Sequence, residues 1–248
     1  MSKPLFSIIT VTLNNVAGLK KTYDSLHHQT SQDFEWIIID GASNDSTIEF
    51  LNTQNIPHIS EKDSGIYDAM NKGIARANGT YILFLNAGDS LADSETLQKI
   101  TQKTDNQDYD FIYGDSLEEL GDTQTYKRAR EHHKINQGMF THHQAMIYNS
   151  KLIQNMRYDE SYKIASDYDF TRRALQNATR PFYIDIPICL FESGGISQQQ
   201  VLKGRREQFD IRCAHQVPLY KNISIFIAQT LIYKLRLICP KIYWFLKR

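Results

Sequence analysis

The chain has 248 residues, 41% of them hydrophobic and 23% charged, a composition that excludes a disordered protein and suits one large α/β domain with an appendage. Its 28 basic and 28 acidic residues cancel to a formal net charge of zero, so overall charge gives no reason to expect nucleic acid as a partner. Cys189, Cys213 and Cys239 are widely spaced and form no C-x-x-C pair, which argues against a disulfide framework and a zinc site and fits a reducing cytoplasm. The first residues, Met1 to Pro4, lead straight into a strand-like segment without the apolar core of a signal peptide, so the expected location is cytoplasmic.

Leu5 to Val11 and Trp36 to Ile39 are compact β-branched runs, the second ending at Asp40, and both predict buried parallel strands. Between them Leu19, Tyr23 and Leu26 recur at i, i+4 and i+7, the stripe of an amphipathic helix that completes a βαβ unit. The polar run from Asp40 breaks the second strand and opens a helix near Thr47, with Asp45 or Ser46 available as its cap. A short strand around His58 and Ile59 follows. In the next segment Ile66, Met70, Ile74 and Ala77 share one helical face, and Gly79 is a natural stop.

Tyr81 to Leu83 then runs into Phe84–Asp89 (FLNAGD), read as a buried strand whose end delivers a carboxylate to the crevice at the sheet's carboxyl edge. The first 90 residues thus read β-α-β-α-β-α-β, and a doubly wound, mostly parallel sheet follows. Tyr109 to Tyr113 is a further strand, ending at Asp115. From Glu118 to Thr141 the chain is polar and aperiodic, as expected of a mobile loop or an irregular hairpin over a site. Regularity returns with a helix over Asp167 to Asn177, carrying Phe170, Ala174 and Leu175 inward, and a strand over Phe182 to Phe191.

Asp40, Asp63 and Asp89 all fall where strands or the turns after them open into one crevice. Each alone is an ordinary helix cap. Their repeated placement points instead to a shared site, and Asp89 with the neutral oxygen of Asn86 suits a divalent ion carrying a phosphorylated substrate.

Five segments, Ser7–Asn14 (SIITVTLN), Trp36–Thr47 (WIIIDGASNDST), Asp63–Gly73 (DSGIYDAMNKG), Phe84–Asp89 and Ala165–Asp169 (ASDYD), resemble in order and spacing those of glycosyltransferase family 2, in its bacterial surface-polysaccharide branch. The resemblance covers roughly the first 190 residues. It implies an inverting transferase of the GT-A fold that moves one sugar from a nucleotide sugar, in the first instance a UDP-sugar, to a glycan or lipid-linked acceptor of a capsule, O-antigen or exopolysaccharide pathway.

On that likeness Thr12, Asn14 and Asp40 match positions that hold the nucleoside, Asp63, Asn71 and Lys72 the region beside ribose and pyrophosphate, and Asp89 the carboxylate that binds Mn2+ or Mg2+. Asn86 and Gly88 stand where many relatives have acids, so metal binding is expected to be weaker than in those relatives. Asp167 matches the catalytic base, with Asp169 a second candidate that could instead orient the acceptor. Asp115 and His143 are placed on the acceptor side, while the histidine pairs at 27/28 and 132/133 are read as solvated surface. The Q-x-x-R-W element of processive synthases is absent, which favours transfer of a single sugar.

By the same reading residues 1–215 form the transferase domain, with 1–115 holding the donor and 116–215 the acceptor, and 216–248 form an amphipathic extension. Ile223 to Cys239 is apolar but interrupted by Gln229, Lys234 and Arg236, too short and too polar to span a bilayer. Lys241 to Arg248 mixes aromatic and basic residues like an interfacial anchor at the inner face of the cytoplasmic membrane. Packing of these helices back on the domain, or on a second subunit, is the alternative. Two other classes stay open: a non-catalytic nucleotide-sugar-binding relative, and a sugar nucleotidyltransferase, which would need a glycine-rich loop where Thr12 to Gly18 has one glycine.

Overall fold

The computed structural model describes residues 3–105, 107–121 and 123–239. The aromatic and basic segment Lys241 to Arg248, expected to anchor the tail, lies outside the described residues. Strand β1 (Phe6–Thr12) sits in the middle of four parallel strands with β2 (Phe34–Asp40), β3 (His58–Ser60) and β4 (Tyr81–Phe84). The sheet continues through β8 (Met146–Asn149), β6 (Phe111–Leu120) and β9 (Pro181–Phe191) to the two-residue β5 (Ser90–Leu91), and β7 (Thr123–Lys127) pairs with β6 as a hairpin. β8 is antiparallel to both its neighbours, while β6 and β9 run with β1 to β4, so the sheet is mostly parallel in strand direction.

Alternation along β1 explains why helices cover both faces. Ile9 and Val11 point into a cluster with Met70 and Ile74 of α3 (Ile66–Ile74) and Phe170 and Ala174 of α6 (Ser166–Asn177). Phe6 and Ile8 point the other way, onto Leu26 of α1 (Val16–His27) and Leu97 and Ile100 of α4 (Thr96–Thr104). Between β2 and β3 lies α2 (Thr47–Thr53), whose first amide is satisfied by Asp45 Oδ1 at 3.0 Å rather than by Ser46. A single turn, α5 (Ser150–Ile153), follows β8, and after β9 come α7 (Ile196–Gln199), α8 (Val201–Ala214) and α9 (Leu219–Ile238).

Three expectations are corrected. Regular strand ends at Phe84 rather than at Asp89, because Gly88 turns the chain with φ +108°, although Leu85 and Ala87 still donate to Ile9 and Val11 of β1. Helix α3 ends at Ile74, short of Ala77, because the Glu35 carboxylate takes the Asn78 and Gly79 amides at 2.6 and 3.1 Å and draws the chain to β2. Gly79 is therefore a point of close approach: a Cβ there would lie 2.5 Å from the Ser7 nitrogen. The segment after Tyr113 is a regular hairpin, since β6 runs on to Leu120 and pairs with β7, before a 3-10 turn at His132–Gln137. His27, His28 and His133 are exposed as expected, but His132 is half-buried beside the Tyr113 hydroxyl.

Helices α8 and α9 form a hairpin closed by fully buried Arg212, whose Nε donates to Asn222 Oδ1 at 2.6 Å, and by the Phe209 and Phe226 rings. No helix among the described residues is long and apolar enough to cross a membrane.

Candidate active site

One edge of the sheet collects the site. Parallel strands reach it with their carboxyl ends, Thr12, Asp40, Asn86 just past β4, and Glu192 just past β9; antiparallel β5 and β8 reach it with their amino ends, bringing Asp89 and Gln144.

At the β1–β3 end, Thr12 pairs with Asp40 in the sheet register, and a Cβ on Gly41 would lie 2.6 Å from Asp63 Oδ2, so these three expected donor residues are neighbours. Asp40 is fully buried and accepts from the Ser43 amide at 2.9 Å, the Ser60 hydroxyl at 2.6 Å and the Ser43 hydroxyl. Asn14, at φ +50°, clamps the loop by accepting from the Asn44 amide at 2.8 Å. Burial pushes the Asp63 carboxyl up from its ordinary value. The Thr12 hydroxyl is buried with no partner.

Beside this end opens a cavity of about 640 Å³, lined by Asn86, Asp89, His143, Asp167 and Glu192 among others. Asp89 is 4% exposed, its Oδ2 accepting from Gln144 Nε2 at 2.7 Å and its Oδ1 from the Glu192 amide at 2.9 Å. Burial pushes its carboxyl up to about 7, helped by the negative charge of Glu192 and opposed by those two hydrogen bonds. Next to it Asn86 Oδ1 is buried without a partner. Among the described residues no three histidines, cysteines or acids converge to hold an ion alone. A carboxylate with an orphaned amide oxygen still fits a hard divalent ion whose other ligands come from a substrate diphosphate.

Asp167 also lines the cavity, in the first turn of α6, half-buried, with Oδ1 accepting from the Tyr168 amide at 2.8 Å and the Tyr67 hydroxyl 3.5 Å away. Burial pushes it up to about 6, outweighing those donors, and the Glu207 charge adds to the rise. Glu207 of α8 was invisible to sequence reasoning yet builds this corner: its carboxylate receives the Lys163, Ile164 and Ala165 amides at 2.8 to 3.1 Å, just ahead of α6. A carboxyl raised toward neutrality on an open cavity wall can take a proton from a substrate hydroxyl.

Other expected residues are engaged elsewhere. His143 lines the cavity but stacks on Phe84 and bonds to the Tyr158 hydroxyl at 2.9 Å, and burial holds it neutral by pushing it down to about 3. Asn71 uses both ends of its amide on the Tyr158 backbone, at 2.7 and 3.1 Å. Lys72 pairs with Glu61 and Asp68 at 3.1 and 3.3 Å. Asp169 faces away from the cavity to Arg173 and His215, and Asp115 ties down the hairpin through Tyr126, Tyr183 and the Ala129 amide. Glu192 was also missed; its position depends on the pairing of a two-residue strand, which has no sequence period to read.

The sequence profile described as Glycosyl transferase family 2 matches residues 7–177. A "PGL/p-HBAD biosynthesis glycosyltransferase" of Mycobacterium tuberculosis is 34% identical over 217 residues, covering 82% of this chain and 83% of its own length. An uncharacterized glycosyltransferase of the same species is 28% identical over 211 residues, 80% of this chain and 79% of the relative. In fold, TarS 1–349 of S. aureus in complex with UDP-GlcNAc superposes with a TM-score of 0.68 at 19% identity, over 89% of this chain and 70% of that one. The mannosyltransferase PcManGT of Pyrobaculum calidifontis, in complex with GDP-Man and Mn2+, gives 0.61 at 12% identity, over 96% and 76%. The order of motifs, the sheet and the match over most of the chain agree: this is a glycosyltransferase with the GT-A fold, and it belongs to glycosyl transferase family 2.

Proposed function

We propose that the enzyme transfers a single sugar, with inversion, from a uridine nucleotide sugar to a hydroxyl of a glycan or lipid-linked sugar acceptor in cell-envelope polysaccharide synthesis such as capsule, O-antigen or exopolysaccharide. The observation that carries this reading is that Asp167 lines one cavity together with Asp89 and Asn86. Asp167 takes the proton of the acceptor hydroxyl as its oxygen bonds to the anomeric carbon; the bond from that carbon to the diphosphate oxygen breaks on the opposite face, and its electron pair leaves with the nucleoside diphosphate. Thr12, Asn14, Asp40 and Asp63 shape the nucleoside end. Asp89 and Asn86 would hold Mn2+ or Mg2+, which when bound neutralises charge on the departing diphosphate. The UDP-GlcNAc bound by TarS supports the donor class, and the role of the mycobacterial relative in PGL/p-HBAD biosynthesis supports the acceptor class.

Helix α9 supports contact with a membrane surface. Leu219, Tyr220, Ile223, Ile227, Leu231, Leu237 and Ile238 are exposed and fall within about 120° of its circumference, beside the face that packs on α8, while exposed Ile232 lies outside that arc. Lys221 and Arg236 lie outside that arc and Lys234 within it, and the helix has no acidic residue, a charge balance that suits anionic lipid.

The test is a panel of UDP- and GDP-sugars with Mn2+ and a polyprenyl-diphosphate-sugar acceptor, in solution and on anionic vesicles. Nucleoside diphosphate release that depends on acceptor is expected; binding with no release from any donor identifies a non-catalytic relative. Failure to float with anionic vesicles at low salt removes the membrane contact alone.

A further inference from the structure

The antiparallel register of β5 and β9 places Ser90 opposite Leu190 and Leu91 opposite Cys189. Extending it by two residues sets Gly88 opposite Glu192, and the side chains follow: a Cβ built on Gly88 would lie 2.0 Å from Glu192 Oε2. The glycine thus leaves room for a carboxylate that arrives from the far end of the chain. Position 88 could not easily carry its own acid, because its φ of +108° is a backbone conformation that side-chain-bearing residues rarely adopt.

Two further observations point to a cation. Glu192 lines the cavity shared by Asp89 and Asn86, and its own amide is bound to Asp89 Oδ1 at 2.9 Å, so the two acids are held together by the backbone. Glu192 is exposed, its negative charge acts on Asp89 against the positive charge of Lys21, and among the described residues its carboxylate makes no ion pair, so it is available to an ion. The third oxygen, Asn86 Oδ1, is buried with no partner beside them.

We propose that Glu192 supplies the second carboxylate of the divalent-ion site, in place of the acid absent at Gly88, and so sets the affinity of the ion–diphosphate complex. This rests on the reading of Asp89 as the ion's carboxylate. Asn86, Asp89 and Glu192 present only oxygens, a set for Mg2+ or Mn2+ rather than for zinc or copper.

The experiment measures Mn2+ affinity of the full chain by calorimetry and by electron paramagnetic resonance of free Mn2+, with UDP saturating, for wild type, Glu192→Gln, Glu192→Asp and Asp89→Asn. Glu192→Gln is expected to weaken Mn2+ about tenfold or more, with Glu192→Asp intermediate. With chelator and no metal, Glu192→Gln should bind UDP at least as tightly as wild type, because a repelling charge is gone. Unchanged Mn2+ affinity in Glu192→Gln, with loss in Asp89→Asn, overturns the assignment of Glu192 alone. Unchanged affinity in Asp89→Asn overturns the ion site itself. Equal weakening of UDP binding with and without metal would make Glu192 a structural residue and also overturn the proposal.

Discussion

Along the active-site edge, Asp40 is held in one way and Asp89 and Asp167 in the opposite one. Asp40, at the end of β2, is fully buried but its oxygens are filled by two serine hydroxyls and an amide. Asp89 and Asp167 sit on a cavity wall, each carboxyl lifted toward neutrality by burial that its hydrogen bonds do not offset. A satisfied carboxylate defines shape, because it is already at rest. An undersatisfied one is held ready for a ligand or a proton, and stability is given up to keep it so.

The sharpest test of that contrast is Asp167→Asn. If Asp167 is the base, turnover falls about a hundredfold to ten-thousandfold while UDP affinity is retained; a near-native rate in a steady-state assay would erase the functional half of the contrast. The same group fixes the pH profile of the wild type. With its carboxyl at about 6, and with metal saturating so that Asp89 stays ionised, kcat/KM should fall about tenfold per unit of pH below that value, where the base is protonated, and level off above it.

On the other side of the comparison, Asp40→Ala removes the acceptor of the part-buried Ser43 amide and of the Ser43 and Ser60 hydroxyls, at a cost of about 0.5–1.5 kcal/mol per bond lost. Urea unfolding should show it as a lower midpoint with an unchanged slope. An unshifted midpoint would mean that Asp40 is not the structural acid its bonds suggest.

The smallest expected effect is a gain. The Asp167 pKa is higher in the folded state than the ordinary 3.8, so protonation favours folding, and the penalty of the charged form grows as pH rises from near 3.8 and is complete above about 6. Asp167→Asn stays neutral throughout. Its Tm should exceed that of wild type by a few degrees at pH 7.5, with the difference vanishing near pH 4.

The β1–β4 half was legible because each βα junction carries its own local signals, an apolar run, a polar break and a helical stripe, and because five motifs occur in order. Asp167 could be found from its motif and the start of a helix. Glu192 and Glu207 could not, since neither touches its partner through any local pattern: one waits on the register of a two-residue strand, the other reaches back some 43 residues to the turn before α6. Lys72 and Asp169 show what a motif leaves unsaid, the partners a side chain takes: Lys72 pairs with Glu61 and Asp68, within reach of the Asp63 charge, and Asp169 with Arg173 and His215.

The partners of Asp89 come from 55 and 103 residues further along the chain. A growing polypeptide released as far as β4 can pair β1, β2 and β3 with it, but it holds Asp89 without Gln144 and without the Glu192 amide. Loop closures of that length are slow and come late. Trp36, which donates from β2 to Thr10 at 2.8 Å, reports the early half of the sheet by its fluorescence once the second tryptophan is removed by Trp244→Phe. Recovery of sugar transfer reports β9, so after dilution from denaturant the optical signal should return before the enzyme does.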